Sequence, residues 1–399
     1  MKKTPEDLAV FGGPSAFSKT LHVGQPNIGN RDSLINRINH ILDRGWLTNN
    51  GSFVKEFECK VAQSCGVKHC IAMCNGTVAL EIAVRALGMT GEVIVPSFTF
   101  VATAHCLQWQ EITPVFCDIS PETYTIDPVC IERLITPRTT GIIGVHLWGR
   151  PCETERIASI AKKHDLKLLF DASHAFGCTH QQKNIGGFGH AETFSFHATK
   201  FLNTFEGGAI TTNDDRLAEK IRLMKNFGFK GMDKVIYLGT NGKMNEVCAA
   251  MGITSLESRE EFISANRQNY HRYCSELSGL SGIRARTYDE DQKNNFQYVV
   301  VEIDKNKTIL NRDQFMKILH AENVRARRYF YPGCHRMEPY RSFYPNAGLM
   351  LPETEKAAEK VLCLPTGTAV LPEDAQKICQ IIRVAVENRE QISKRLKTE

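Results

Sequence analysis

The feature that most constrains the fold is a regular alternation of short apolar, β-branched runs with helical patterns through the first part of the chain. Helical patterns lie at 78–87 and 153–164, and shorter strands are predicted at 194–196 and 208–212. The main runs read as strands buried on both faces, and they are Glu92–Pro96, Thr113–Cys117, Gly141–His146 and Leu166–Phe170. Alternation at this spacing predicts βαβ units and a mostly parallel central sheet.

After about Met251 the pattern changes. A long charged helical pattern at 255–278 leads into a strand-like run at 296–303, and helical patterns follow at 312–322 and 373–392. These elements predict a smaller α/β domain packed on the first. We therefore expect an extended N-terminal arm rich in Gly, Pro and Asn, a large domain and a small C-terminal domain, with the bounds 1–30, 31–254 and 255–399.

Charge and apolar content restrict the partners. The chain has 399 residues and a formal net charge of +5, and its densest basic cluster, Arg325 to Arg328, is short. A nucleic-acid partner usually requires a denser basic stripe, so we expect an anionic small-molecule substrate and cofactor and no nucleic acid. No run reaches the ~18 apolar residues of a membrane span, and Pro5, Glu6 and Asp7 stand where a secretory signal would be apolar. We expect a cytoplasmic protein without a membrane partner.

The 14 cysteines are expected to be reduced. Most of them, such as Cys117 and Cys379, lie inside apolar runs, as small buried hydrophobic residues do. There is no Cys-x-x-Cys pair, and the cluster of Cys65, Cys70 and Cys74 lacks the spacing of a metal site. No metal is therefore expected.

Two chemically informative side chains follow strands of the predicted sheet. Asp171 ends the run at 166–170, where a carboxylate could pair with a protonated pyridine nitrogen and keep that ring an electron sink. Taken alone, Asp171 is more simply a cap on the next turn. Lys200 follows the strand at 194–196, and the flanking strand-like runs favour a buried amine over a surface charge. A desolvated lysine has a lowered pKa and can act as nucleophile and base.

A third motif, Asn75-Gly76-Thr77, opens the helical pattern at 78–87. Backbone N–H groups at a helix N-terminus bind phosphate well, although simple N-capping by Asn75 or Thr77 explains the same residues. The chain has neither a Gly-x-x-x-x-Gly-Lys-Ser/Thr loop nor a Gly-x-Gly-x-x-Gly after an early strand. Nucleotide hydrolysis and nicotinamide chemistry are therefore not expected.

Several short motifs are distributed along the chain, and they are Pro96-Ser-Phe-Thr-Phe-Val-Ala-Thr103, Val115-Phe-Cys-Asp118, Val145-His-Leu-Trp-Gly149, Asp171-Ala-Ser-His174, Ser195-Phe-His-Ala-Thr-Lys200, Glu206-Gly-Gly208 and Gly239-Thr-Asn-Gly-Lys-Met244. In combination, these motifs resemble those of the DegT/DnrJ/EryC1/StrS family of sugar aminotransferases, over nearly the whole length. The resemblance implies an α/β protein of the fold-type I architecture that binds pyridoxal 5′-phosphate. It also implies a mostly parallel central sheet and a smaller C-terminal α/β domain.

The resemblance implies a role for each matching residue. Lys200 would hold the cofactor as a Schiff base and shuttle the proton, with pyridoxamine 5′-phosphate as the intermediate form. Asp171 would pair with the pyridine nitrogen, and Phe100 would stack on the ring. His174, where many members have Gln, would hydrogen-bond the phenolic oxygen. Phe100 alone would fit as a core residue, and His174 alone as a satisfied buried histidine.

The same resemblance assigns the phosphate contacts. Gly76, Thr77 and Ser195 would hold the phosphate of the cofactor. Asn241 would reach the phosphate of the partner subunit's cofactor, which implies a homodimer with shared active sites. Some relatives replace the lysine with His and act as dehydratases, so the retained Lys200 favours amino transfer.

Further segments resemble the branch of the family that makes dTDP-4-amino-4,6-dideoxy-D-glucose. The expected reaction transfers an amino group from L-glutamate to C4 of dTDP-4-keto-6-deoxy-D-glucose and releases 2-oxoglutarate. Amination at C3, a galacto product, a UDP carrier and a non-catalytic regulatory relative are the alternatives. The product would suit an O-antigen, another surface polysaccharide or an antibiotic. The segments are Trp46-Leu-Thr-Asn-Asn-Gly51, Val101-Ala-Thr-Ala-His105, Ser173-His-Ala-Phe-Gly177, Phe196–Gly208 and Lys225-Asn-Phe-Gly-Phe229.

The diphosphate of such a substrate requires cations near the mouth of the pocket. Candidate cations include Lys230 and Arg325, for which a solvated surface charge is the simpler interpretation. Tyr329, Tyr331 and His335 lie in a run that resembles a small-domain segment closing on the site.

Overall fold

The computed structural model describes residues 2–398. Its strands are β1 (Leu21–His22), β2 (His69–Met73), β3 (Glu92–Pro96), β4 (Thr113–Cys117), β5 (Thr139–Val145), β6 (Lys167–Asp171), β7 (Thr179–His180), β8 (Lys183–Asn184), β9 (Ala191–Ser195), β10 (Gly208–Thr212), β11 (Ile283–Ala285), β12 (Val299–Ile303), β13 (Val324–Arg325) and β14 (Val361–Leu364). Its α-helices are α1 (Arg31–Arg44), α2 (Ser52–Cys65), α3 (Gly76–Leu87), α4 (Ala102–Gln108), α5 (Pro128–Leu134), α6 (Thr154–Lys163), α7 (Asp215–Met224), α8 (Glu246–Glu257), α9 (Arg259–Leu277), α10 (Lys305–Thr308), α11 (Arg312–Ala321), α12 (Tyr340–Phe343), α13 (Pro352–Lys360), α14 (Pro372–Glu387) and α15 (Arg389–Thr398). Short 3₁₀ turns lie at Pro5–Asp7, Ala9–Phe11, Leu147–Gly149, Cys334–Arg336 and Ala347–Met350.

A seven-stranded sheet forms the centre of the molecule, with the strand order β2-β10-β9-β6-β5-β3-β4. Its neighbouring strands are parallel except where β10 runs antiparallel to both β2 and β9. The mostly parallel central sheet predicted from the sequence is therefore confirmed. Strands β3, β4 and β10 have the predicted bounds, and β5, β6 and β9 are shifted at their ends.

Helices cover both faces of this sheet. Leu169 of β6 packs with α3, α4 and α7 on one face, whereas Leu168 and Phe170 pack with α5 and α6 on the other. Helices α2 and α8 continue that second face over Cys70 and Ala72 of β2. Because successive side chains of a strand point to opposite faces, strands buried on both sides read as continuous apolar runs.

Strand β2 is not among the predicted strands. Its sequence contains one β-branched residue, Ile71, and the intrinsic β-propensity of the segment is low. The segment is a strand because β10 pairs with all of it and helices bury it on both faces. Tertiary packing, and not intrinsic propensity, therefore determines that this segment is a strand.

Two long helical patterns are each interrupted. Ser258 (φ −96°, ψ 7°) separates α8 from α9 within the pattern at 255–278. Asn388 (φ −109°, ψ 26°) separates α14 from α15 within the pattern at 373–392. The Asn388 side chain donates to the carbonyl of Val384 at 2.9 Å, so it offers the backbone a local alternative to the helix.

A second core lies around the antiparallel sheet β11-β12-β14, together with α9, α11 and α14. The N-terminal arm, expected to be extended, contains 3₁₀ turns and β1, and it packs on this core through Leu8, Phe17 and Leu21. Lys2 pairs with the buried Glu322 at 3.1 Å, and β1 runs parallel to β13. The arm is therefore an integral layer of the C-terminal part.

A buried ion pair joins α2, β2 and α7. Glu58 accepts hydrogen bonds from the Ala72 N–H at 2.8 Å and from Lys225 Nζ at 2.9 Å, and Arg222 donates to it at 2.8 Å. Burial raises the pKa of Glu58, but Lys225 and Arg222 more than offset this effect, so its pKa is lowered. Its ionised form therefore stabilises the native state above the pKa of the unfolded chain, and this contribution is lost as pH falls through the folded pKa.

We expect Glu58→Ala to lower the free energy of unfolding by about 3–5 kcal/mol, because Lys225 would stay buried without its partner. Urea denaturation at neutral pH measures this change. Lys356→Ala is the matched control, since it removes an exposed pair with Glu353 and should cost under about 1 kcal/mol. Equal losses in the two variants would contradict a stabilising role for the buried pair.

Candidate active site

Several chain segments meet at one edge of the central sheet. Strand β6 ends there at Asp171 and β9 at Ser195, while β2 leads into Gly76 at the start of α3. The antiparallel β10 begins at the same edge, where Gly208 pairs with both Ser195 and Met73. The carboxyl ends of the parallel strands are where open α/β sheets bind ligands.

Two glycines allow these segments to approach closely. A Cβ at Gly76 would lie 2.9 Å from the Cβ of Ser195, and a Cβ at Gly208 would lie 2.6 Å from the carbonyl oxygen of Asn75. Asn75 caps α3 with its side chain, so the capping interpretation of this motif holds. The first N–H groups of α3, at Gly76 and Thr77, have no intrahelical acceptor and suit an anionic group such as phosphate.

Asp171 is buried, with 5% of its surface exposed, and hydrogen bonds fix its carboxylate. Its Oδ1 accepts from the Ser173 N–H at 3.0 Å, which is the cap on the following turn that the sequence suggests. Its Oδ2 accepts from Thr103 Oγ1 of α4 at 2.9 Å. The side chain thus caps a turn and is also oriented by a neighbouring element.

Lys200 lies in the loop that joins β9 to β10. The residue as a whole is half-buried, but its amine is in the interior, where desolvation lowers its pKa to about 8. The carboxylate of Asp171 acts in the opposite direction and raises the pKa of Lys200. An amine with this pKa is present in both protonation states near neutral pH, as a nucleophile and base requires.

His174 lies beside this lysine and is 4% exposed. Burial, and secondarily the charge of Lys200, hold the pKa of His174 well below its ordinary value, so its ring is neutral. Its Nδ1 accepts from the Trp148 N–H at 3.3 Å, which assigns the proton to Nε2. His174 Nε2–H is therefore a donor.

Phe330 is a site residue that the sequence motifs do not identify. Its ring stacks on His174 with centroids 5.6 Å apart and contacts Phe100 edge-on at 6.5 Å and Tyr329 at 5.1 Å. Phe100 is 56% exposed, so one of its faces remains open. Phe330 lies between the predicted substrate contacts Tyr329 and Tyr331, and this aromatic run is the feature of the sequence that could have identified it.

The remaining predicted substrate contacts lie elsewhere on the structure. Tyr331 is exposed and packs against the guanidinium groups of Arg328 and Arg312 at 4.3 and 4.9 Å. Arg325 lies on β13, paired in register with His22 of the arm. Lys230 is exposed in the turn at 229–235. No hydrogen bond or ion pair within residues 2–398 joins these three to Lys200 or Asp171, and their role in binding stays a prediction.

His335 and Asn241 have contrasting surroundings. His335 is 2% exposed, with Ser97 Oγ at 2.7 Å from Nδ1 and Glu355 Oε1 at 2.8 Å from Nε2. These bonds attach the 334–336 turn to Ser97 at the end of β3 and to Glu355 of α13. Asn241 is exposed, and the adjacent Gly242 carbonyl accepts from the Cys74 N–H at 2.8 Å. Asn241 thus lies near the start of α3, where the phosphate is expected, but it is exposed to solvent.

A large cavity lies away from this site. It has a volume of about 1020 Å³ and lies between α2, α9 and the segment 288–294. Neither Lys200 nor Asp171 lines it. The chemistry of the side chains, and not cavity size, identifies the sheet edge as the site.

The residues at the sheet edge fit pyridoxal 5′-phosphate. Lys200 offers a buried amine for the aldehyde, Asp171 a carboxylate for the ring nitrogen, and His174 an N–H donor for the phenolic oxygen. The cleft at Gly76 and Ser195, which a Cβ would fill, leaves helix N–H groups available for the phosphate. This donor set and this fold are those of the class of enzymes that use pyridoxal phosphate.

Comparison with known proteins identifies the family. The sequence pattern of the DegT/DnrJ/EryC1/StrS aminotransferase family matches residues 29–383, so the chain belongs to this family and is a sugar aminotransferase. It is 38% identical over 369 residues to the dTDP-4-amino-4,6-dideoxy-D-glucose transaminase of Shigella dysenteriae, which covers 92% of this chain and 99% of that protein. It is 37% identical over 304 residues to the GDP-perosamine synthase of Caulobacter vibrioides, covering 75% and 81% of the two chains.

A solved structure is also similar over almost the whole chain. The crystal structure of DesI in the presence of its TDP-sugar product is 47% identical in sequence and superimposes with a TM-score of 0.95. The match covers 98% of this chain and 99% of that one. The expected fold and enzyme class are confirmed.

Two kinds of feature are absent from residues 2–398. No helix in that range combines the length and apolar character needed to cross a bilayer. No group of three or more His, Cys, Asp and Glu side chains there has the geometry to hold a metal ion.

We expect Lys200 in the cofactor-free protein to react with acetic anhydride with a pH midpoint near 8, because desolvation lowers the pKa of its amine. Mass spectrometry of the peptide that contains Lys200, after labelling across a pH series, measures the midpoint. Asp171→Asn should move it lower, since the carboxylate raises this pKa. The urea-unfolded chain is the control, and the same midpoint in folded and unfolded protein would contradict a desolvated amine.

Proposed function

We propose that this enzyme transfers the amino group of L-glutamate to C4 of dTDP-4-keto-6-deoxy-D-glucose. The products are 2-oxoglutarate and dTDP-4-amino-4,6-dideoxy-D-glucose, so the ketone and the amine exchange places and no external oxidant is needed. The observation that carries the proposal is the desolvated amine of Lys200 beside the buried carboxylate of Asp171.

Each site residue has a separate role in amino transfer. Bound pyridoxal phosphate supplies a ring that withdraws electrons from the carbon losing its proton. Asp171 would hold the positive charge on the ring nitrogen, and neutral His174 would donate from Nε2 to the ring oxygen. Lys200 Nζ accepts the proton from Cα of glutamate and later delivers a proton to C4 of the sugar. Burial of Asp171 and His174 keeps water away from these two side chains, which strengthens their electrostatic interactions.

The relatives support the choice of substrate. The Shigella dysenteriae protein is a dTDP-4-amino-4,6-dideoxy-D-glucose transaminase, and DesI was crystallised with a TDP-sugar product. Both span this chain almost completely. The GDP-perosamine synthase favours a GDP-linked 4-ketosugar as the second candidate. The common chemistry is amination of a nucleotide-linked ketosugar.

We also propose a homodimer with shared active sites. The segment 227–241 exposes apolar side chains, among them Met232 and Leu238. Trp46 and Leu47 are exposed nearby, where the Leu47 carbonyl accepts from the Glu246 N–H at 3.0 Å. Exposed apolar patches of this kind typically mark protein contacts. Asn241 ends the exposed segment, which suits a residue reaching the phosphate in the second subunit.

The purified enzyme, supplied with pyridoxal phosphate and L-glutamate, should convert dTDP-4-keto-6-deoxy-D-glucose to the 4-amino product, identified by mass and by NMR at C4. Lys200→Ala should lose at least about 10³-fold in kcat, because it removes both the attachment point and the proton-transfer base. A GDP-linked 4-ketosugar is assayed in parallel. Product from that sugar alone would overturn the dTDP assignment, and a protein that never develops a glutamate-sensitive absorbance band would overturn amino transfer.

The shared site has a test of its own. Asn241→Ala should weaken cofactor binding about tenfold or more, because a charged phosphate loses a donor. When Lys200→Ala and Asn241→Ala subunits are mixed after unfolding, half of the dimers should pair an intact lysine with an intact asparagine in one site. Activity should then recover to roughly a quarter of wild type, since a two-fold dimer has two sites. Activity no greater than the mean of the two variants would contradict sharing.

A further inference from the structure

The residue after Lys200 is held by side chains from outside its own loop. The Phe201 N–H donates to Gln297 Oε1 at 3.3 Å, and the Phe201 carbonyl accepts from Asn27 Nδ2 at 2.9 Å. Asn27 precedes α1, and Gln297 lies just before β12. Both side chains are buried.

Asn27 makes further bonds that span two parts of the fold. Its backbone carbonyl accepts from Asn203 Nδ2 at 2.8 Å, on the lysine loop. Its Oδ1 accepts from the Thr368 N–H at 3.0 Å and from Thr368 Oγ1 at 2.9 Å. At 2% exposure, it is a buried polar bridge between the loop of Lys200 and the segment that leads into α14.

The arm also contacts the residue before the lysine. Gly24 has φ +78°, and a Cβ at this position would lie 3.0 Å from the Cβ of Thr199 and 3.1 Å from its carbonyl oxygen. Residues 24–27 therefore run alongside the lysine loop and touch it at positions 199, 201 and 203. Lys200 is bracketed on both sides by the arm.

The loop has little regular structure of its own at this point. Lys200 N–H donates to the His197 carbonyl at 2.8 Å, and the next backbone bond to a strand end is Thr204 N–H to the Phe196 carbonyl at 2.9 Å. Between these points the burial of Phe201 and Leu202 and a bond from Ser255 Oγ to the Asn203 carbonyl restrain the chain, and the bonds from Asn27 and Gln297 act on the residue next to the lysine. A displacement of about 1 Å at a reacting group costs roughly 10²-fold in rate.

We propose that Asn27 and Gln297 are positioning residues that fix the backbone of Lys200 for amino transfer. The inference rests on the proposed function, since it assigns Lys200 as the reacting residue. Neither side chain needs to touch the substrate. The arm and the segment before β12 act through Phe201, and they hold the lysine where its amine meets the cofactor.

Two substitutions remove the two bonds separately. Asn27→Asp keeps an oxygen for Thr368 but places a second oxygen against the Phe201 carbonyl, where two acceptors repel. Gln297→Met preserves side-chain volume and removes the acceptor of the Phe201 N–H. Asn323→Gly is the matched control: it deletes an asparagine that donates to the arm carbonyl of Phe17 at 2.7 Å, and glycine tolerates its φ of 62°.

The first readout is amide hydrogen exchange of the cofactor-free protein, which is independent of activity. In the peptide covering residues 198–204, amide exchange should be about tenfold faster than wild type in both variants, because protection reflects local opening. The exchange rate should be unchanged in the control. The second readout is kinetic. Both variants should lose about tenfold to a hundredfold in kcat, with the KM for L-glutamate changed less than about threefold.

The outcomes separate this inference from the proposed function. Wild-type exchange and wild-type kcat in Asn27→Asp and Gln297→Met would overturn the positioning role, whatever the substrate. If one variant does not fold, the other decides through the same peptide. Faster exchange with unchanged kcat would also overturn it, since the loop would then be mobile without consequence. A wild-type protein without a glutamate-sensitive band would instead overturn the proposed function.

Discussion

The site depends on the close approach of β10 to the first turn of α3. Gly208 lies against the Asn75 carbonyl and Gly76 lies against Ser195, at distances that leave no room for a Cβ. This contact brings the end of β2, the end of β9 and the start of α3 to one point. Pairing of β10 with both β2 and β9 then fixes the edge on which Asp171 and the lysine loop lie.

The surroundings of the site select the protonation state of each buried group. Below the edge, burial raises the pKa of Glu192 to about 8 and lowers that of His146 to about 3, so both are neutral at pH 7. Burial likewise raises the pKa of the Cys178 thiol to about 12. For Lys200, desolvation lowers the pKa and the charge of Asp171 raises it.

Much of this arrangement was predictable from local sequence, because it depends on short segments. Strands β3, β4 and β10 contain β-branched residues, and their ends match the predicted ends. The motifs that contain Asp171, His174, Ser195 and Lys200 directly adjoin strands β6 and β9. Strand β2 was missed, since its residues have weak intrinsic preference and become a strand through pairing with β10.

The supporting residues could not be found in this way. Asn27 and Gln297 act on Phe201 from distant points of the chain, and Phe330 meets His174 only after the C-terminal part has docked. Nothing in the residues adjacent to them marks these contacts. Even the expected extended arm proved to be folded against the second core, through apolar residues spaced too irregularly to form a periodic pattern.

The antiparallel direction of β10 limits the insertions and deletions that this enzyme could have accepted during evolution. The connection that carries the lysine, residues 196–207, starts and ends on neighbouring strands whose register is set, with Ser195 opposite Gly208. An insertion or deletion there would have to be absorbed within the connection and would move the lysine relative to both strands. Length variation among homologues should therefore be rare in this connection and concentrated in surface loops, such as 289–293, that leave the lysine in place.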